Sequence, residues 1–141
     1  MKYIMTDNPK EQDVDIVLNN LIEYNISHIE EKEVKPLAIF VNDENENKIG
    51  GIIAETHGNW LEISSLWVDE KVRYKKIGSK LLKNVEAEAI IRGCKYSFLD
   101  TFSFQARDFY LKLGYKEVFT LENYPITSKR HYFIKQLIKS R

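Results

Sequence analysis

The stretch Arg73-Tyr74-Lys75-Lys76-Ile77-Gly78-Ser79 decides the reading of this chain. Before it, Trp60 to Val68 reads as a strand. After it, Ile77, Leu81, Val85 and Ala89 recur every four residues and Leu82 widens the stripe, which predicts an amphipathic helix from Ile77 to Arg92. A strand that delivers a basic, glycine-containing turn to a helix start makes an anion site. Backbone N–H groups of a first turn are unpaired, the helix dipole adds roughly half a positive charge, and Arg73, Lys75 and Lys76 add whole charges. A diphosphate would fit such a turn.

Upstream, Asn8, Pro9 and Glu11 form a helix-start pattern, with Asn8 as N-cap and Glu11 closing a capping box. Val14, Val17, Leu18 and Leu21 then share one face, so a helix to about Tyr24 is expected, followed by a short second helix through His28 to Glu33. Strands are predicted at Leu37 to Val41 and Ile49 to Thr56, and with Trp60 to Val68 they make a meander. The Gly50-Gly51 pair signals a bulge or a close approach. Downstream, Gly93 ends the long helix and Tyr96 to Asp100 is a short strand. Ser103 is a candidate N-cap for a helix from Phe104 to Leu113, with Asp108 and Lys112 as a supporting ion pair. Strands Tyr115 to Leu121 and His131 to Ile138 close a single mixed α and β domain over residues 1–141.

Composition narrows the function classes. At 141 residues the chain can bury about two-thirds of its unfolded surface, so no metal or disulfide staple is needed. Lys plus Arg and Asp plus Glu balance at 21 each, which argues against nucleic acid or an acidic membrane as partner and leaves recognition to local patches. Cys94 is the lone cysteine and reads as a partly buried structural thiol. No stretch approaches the roughly 18 apolar residues of a membrane span, and a soluble, cytoplasmic protein is expected. His28, His57 and His131 are too scattered for a metal site and are expected on the surface or in loops.

Arg73 and Gly78 occupy the first and last positions of a pattern Q/R-x-x-G-x-G/A, with Lys76 where the middle glycine would stand. A second block, Ser103-Phe104-Gln105-Ala106-Arg107-Asp108-Phe109-Tyr110-Leu111-Lys112-Leu113-Gly114-Tyr115, matches N-x-x-A-x-x-F-Y-x-K-x-G-F/Y with Ser103 for the asparagine. Together they resemble the GCN5-related N-acetyltransferase (GNAT) superfamily. The resemblance implies an α+β fold, a central, mostly antiparallel twisted sheet of about six or seven strands flanked by about four helices. It also implies acetyl-CoA as co-substrate, no metal, and acetyl transfer to a primary amine of a small molecule or peptide. The diphosphate would lie on Arg73, Tyr74, Lys75, Lys76, Ile77, Gly78 and Ser79. The pantetheine arm would pass Ser103 and Ala106, an oxyanion would meet a backbone N–H around Leu66, Trp67 or Val68, and Tyr110 would face the sulfur. Glu62, eleven residues before Arg73, has the spacing of the general base in one branch of the superfamily.

Such a reaction needs a neutral amine, a stabilised oxyanion and a proton for the departing thiolate. On an alternating strand Glu62, Ser64, Leu66 and Val68 share a face, so Glu62 can look into the cleft and take the amine proton, directly or through water. The acidic segment Glu23 to Glu33 would favour a cationic acceptor. Lys76 in place of glycine keeps a second reading open, an acyl-CoA-binding module without catalysis. The last strand, with Tyr132 and Phe133, would suit an edge-paired homodimer.

Overall fold

The structure, a computed structural model, describes residues 1–138 apart from the side chain of Tyr74. Contacts divide the chain into two compact units, the first Met1–Lys32 and the second beginning at Glu33.

The first unit holds α1 (Glu11–Ile26). Lys10, with extended backbone, sits at the N-cap and no side chain caps the helix. Asn8 instead donates its N–H to Thr6 Oγ1 at 3.0 Å, so the expected capping box does not form. Glu11 and Asp13 in the first turn supply the favourable negative charge. At the other end Ser27 Oγ donates to the Tyr24 carbonyl at 2.6 Å, while His28 stacks on the Tyr24 ring at 4.4 Å between centroids. These local contacts take up the last turn, and residues 28–33 form no second helix. Among the described residues there are three α-helices rather than the four expected.

The second unit is a six-stranded sheet in the order β1-β2-β3-β4-β6-β5. Strands β1 (Val34–Asn42), β2 (Lys48–His57) and β3 (Trp60–Val68) form the antiparallel meander. Asp43 Oδ1 closes the first turn by accepting the N–H groups of Asn45 and Asn47 at 2.8 and 2.9 Å. A Cβ on Gly50 would lie 3.2 Å from the Trp67 carbonyl oxygen, and one on Gly51 3.2 Å from the Phe40 ring. The glycine pair therefore marks close approach, while the register shifts fall elsewhere, at Val41/Asn42 and Ile53/Ala54.

A 3₁₀ turn (Glu70–Lys75) leads into α2 (Ile77–Ile91), whose stripe Leu81, Leu82, Val85 and Ala89 is buried on the sheet. Gly93, at φ +96°, ends the helix, and Cys94 beyond it is buried. Full burial of side chains such as Leu82, Leu99 and Phe133 contributes about 1.5–3 kcal/mol each.

β4 (Tyr96–Phe102) runs parallel to β3, the one parallel pairing among the described strands. α3 is short, Arg107–Lys112, with Ala106 at its N-cap. The reason lies in Gln105, whose Oε1 accepts from the Phe102 N–H at 2.9 Å and Thr101 Oγ1 at 3.0 Å, holding the preceding residues in a turn. Ser103 is thus not the N-cap, and Asp108 lies 3.7 Å from Arg107 rather than serving Lys112. β5 (Lys116–Leu121) and β6 (Arg130–Gln136) complete the sheet. β6 lies between β4 and β5, so it is not the edge strand that an edge-paired dimer through Tyr132 and Phe133 would need. β5 covers it because the two pair as an antiparallel hairpin.

Candidate active site

The parallel ladder between β3 and β4 covers only Trp60–Ile63 against Tyr96–Leu99. At that point β3 bulges. Ile53 pairs with Ser65 and Ala54 with Ile63, which leaves Ser64 as the extra residue, its hydroxyl donating to the Ile53 carbonyl at 3.1 Å. Beyond Ile63 the two strands part. The gap is a pocket of ≈ 200 Å³ lined on one side by Ser64, Ser65 and Leu66 and on the other by Leu99, Asp100 and Thr101. Gln105, Ala106 and Tyr110 complete its wall.

The bulge also reverses the faces of β3. Leu66 and Val68 join Leu61 and Ile63 against the core, while Trp67 is exposed. Glu62 therefore does not share a face with Leu66 and Val68, because an extra residue flips the alternation. Glu62 stands on the opposite face, directly across from Glu55 on β2, and does not line the pocket. Burial first, and then the Glu55 carboxylate, raise its pKa above the usual value, with a smaller push from Asp100.

Tyr110 projects from α3 and is buried, packed edge-on against Phe109 and Tyr115 at centroid distances of 5.1 and 5.8 Å. Burial, with the Asp100 charge behind it, pushes its phenol up to about 12. Asp100 itself is held by Arg130 at 2.8 Å.

The basic turn reaches α2 through Lys76, whose backbone is left-handed at φ 57°, ψ 27°. That conformation costs a residue with a side chain about 1–2 kcal/mol and glycine nothing, which explains the glycine of the pattern. Lys76 and Lys75 are exposed. No side chain caps α2, and its first turn carries no acid, so the amides of Ile77, Gly78 and Ser79 face outward onto a positive end. Gly78 has ordinary φ; a Cβ there would lie 3.4 Å from the Phe109 ring, so its role is close packing between α2 and α3. Arg73 folds back, its Nε 3.4 Å from the Val68 carbonyl and Nη2 3.9 Å from Glu70. The Tyr74 side chain lies outside the described residues.

Ser103 and Ala106 line a shallow hollow beside the pocket, with Gln105 common to both. The structure thus brings Leu66, Ala106 and Tyr110 together, sets Ser103 beside them and leaves Glu62 outside the wall. Sequence reasoning missed Asp100, Thr101 and Gln105. Asp100 was findable as the one acid in the aromatic strand Tyr96–Phe102. It also misplaced His131, which is buried in β6 and hydrogen-bonded to Ser103 and Glu117. His28, as expected, is exposed. Burial pushes the Cys94 thiol up, away from nucleophilic use.

A splayed parallel strand pair, an uncapped helix start and a phenol in the pocket wall are features that could hold an extended ligand ending in an anion. Residues 35–117 match the acetyltransferase (GNAT) domain family. A blasticidin-S acetyltransferase of Streptomyces morookaense is 32% identical over 109 residues, covering 74% of this chain and 80% of that one. Among solved structures, an acetyltransferase from Bacillus cereus superposes at a TM-score of 0.84 with 33% identity, over 94% of this chain and 97% of that one. An aminoglycoside 6′-N-acetyltransferase complexed with coenzyme A has the same fold at a TM-score of 0.68 and 19% identity, over 97% and 99% of the chains. The chain belongs to the GNAT family and is an N-acetyltransferase.

Proposed function

We propose that the chain transfers acetyl from acetyl-CoA to a primary amine of a small molecule, by direct attack of the amine in a ternary complex. The observation that carries this reading is the gap where β3 and β4 part at Ile63 and Leu99, with Tyr110 in its wall. The residues present fit the co-substrate: Ser64 to Val68 offer a strand edge without a β4 partner, and the amides of Ile77 to Ser79 sit at an uncapped helix start among Lys75, Lys76 and Arg73. The coenzyme A complex of the aminoglycoside acetyltransferase supports the same choice. When bound, acetyl-CoA supplies a thioester carbonyl open to an amine.

The backbone around Leu66, Trp67 and Val68 offers N–H groups to an oxyanion. Tyr110 keeps its proton. A phenol at about 12 would yield it to the thiolate of an ordinary thiol at a cost of about 5 kcal/mol, so its part is to donate a hydrogen bond to the thiolate, which leaves as the anion and takes its proton from water. Glu62 accepts the amine proton through water, and its raised pKa brings it nearer the range a base needs at neutral pH. Some base is required, because an amine of pKa near 10.4 is neutral in only about one molecule in a few thousand at pH 7.

Glu55, Glu62 and Asp100 put carboxylates on neighbouring strands, which favours a cationic acceptor. The relative named for blasticidin-S favours a small molecule over a peptide. The test is thiol release from acetyl-CoA across polyamines, aminoglycosides, nucleoside amines and amino acids. Turnover restricted to cationic amines is expected; a preference for anionic acceptors contradicts the acceptor class, and no turnover on any amine contradicts the reaction.

A further inference from the structure

Ser103 is exposed, yet four buried or half-buried side chains are arranged behind its hydroxyl. His131 Nε2 lies 2.8 Å from Ser103 Oγ, and its Nδ1 contacts Glu117 Oε1. Glu117 is gripped in turn by Arg107, through Nη2 at 2.7 Å and Nε at 3.2 Å, and by the Thr120 hydroxyl at 2.6 Å. Thr120 Oγ1 also lies 3.4 Å from His131 Nδ1, and Ser103 Oγ lies 3.5 Å from the Lys129 carbonyl. Ser103 N–H is anchored on that same carbonyl at 3.1 Å.

The direction of each hydrogen bond follows from the far end. The Thr120 and Arg107 bonds hold the Glu117 carboxyl down to about 2, so it is ionised and accepts only. A carboxylate can only accept, so His131 Nδ1 must carry the proton of its contact with Glu117. With that one proton on the ring, Nε2 accepts and the Ser103 hydroxyl donates to it. The serine oxygen therefore turns its lone pairs, not its proton, toward the hollow it shares with Gln105 and Ala106.

We propose that His131, braced by Glu117 and Arg107, is a positioning residue that fixes the Ser103 hydroxyl as an acceptor for an amide N–H of the pantetheine arm. This rests on the acetyl-CoA reading above. A serine left to rotate would offer its proton as readily as its lone pairs; the relay selects one, in place of the asparagine of the family pattern.

Two measurements test it. Long-range ¹H–¹⁵N NMR of the free protein should show His131 protonated at Nδ1 and bare at Nε2; the opposite tautomer, or a ring protonated at both nitrogens, overturns the proposal. Calorimetric titration with coenzyme A then compares His131→Asn, which keeps a donor for Glu117 but does not reach Ser103, with Ser103→Ala and the double variant. Each single change should weaken binding about fivefold, the double no more than Ser103→Ala alone, with KM for acetyl-CoA rising and kcat moving far less. Ser103→Asn in the His131→Asn background should restore affinity. Unchanged affinity in His131→Asn, or losses that multiply, overturns the positioning role alone. A wild-type protein that does not bind coenzyme A overturns the acetyl-CoA reading and this proposal with it.

Discussion

Tyr110 and Tyr115 are buried alike, 6% and 3% exposed, with ring centroids 5.8 Å apart, yet their hydroxyls have opposite fates. Tyr115 donates to Glu86 at 2.9 Å and accepts from Ser97 at 2.8 Å, and Lys135 completes the cluster on Glu86 at 2.9 Å. Among the described residues no hydrogen bond reaches the Tyr110 hydroxyl, which belongs to the wall of the pocket. A buried polar group normally finds a protein partner. Tyr115 is scaffold by that rule, whereas the Tyr110 hydroxyl is not sealed in the core and opens to the pocket, the place the proposed function gives to the ligand.

The sharpest way to break this contrast is to remove each hydroxyl. Tyr110→Phe should lower kcat ten- to a hundredfold with the melting temperature nearly unchanged, since no protein bond is lost. Tyr115→Phe should do the reverse, costing about 1–2 kcal/mol in a denaturation curve while kcat stays within about threefold. Equal kinetic losses in the two variants would erase the distinction. A smaller effect concerns Glu62, whose folded pKa is raised above 4.5 by burial and Glu55. The folded state holds that proton longer than the unfolded chain, so this contribution to stability falls as pH rises through the raised pKa, and activity rises over the same window as the base is freed. Glu55→Gln should move the acid limb of the kcat/KM profile to lower pH; an unmoved limb removes Glu62 from proton transfer. The smallest effect belongs to Arg73, exposed and shared with Glu70 and the Val68 carbonyl. Arg73→Ala should weaken coenzyme A binding by about 0.5–1 kcal/mol, more at low salt.

What was legible in the sequence follows the same division. The basic turn, the α2 stripe and the block around Tyr110 are local patterns, each read within one element and its flanks. The bulge at Ser64 was not legible, because a serine pair in a strand does not say which residue is extra, and the face of Glu62 changed with it. The relay from Ser103 through His131 to Glu117 runs from the turn after β4 to β6 and β5, and only the register that sets Thr120 opposite His131 brings its parts together. α3 fell short of its expected length because the Gln105 side chain competes for the Phe102 N–H. Asn8 missed its cap for a similar reason, a local bond to Thr6.

The central claim is that the gap between β3 and β4, from Ile63 to the start of α2, receives the co-substrate. The most direct test is an amide ¹H–¹⁵N titration with coenzyme A. The account predicts shifts concentrated at Ser64 to Val68, Ile77 to Ser79 and Ser103 to Tyr110, saturating together. Shifts confined to other strands, or none at millimolar ligand, would contradict it.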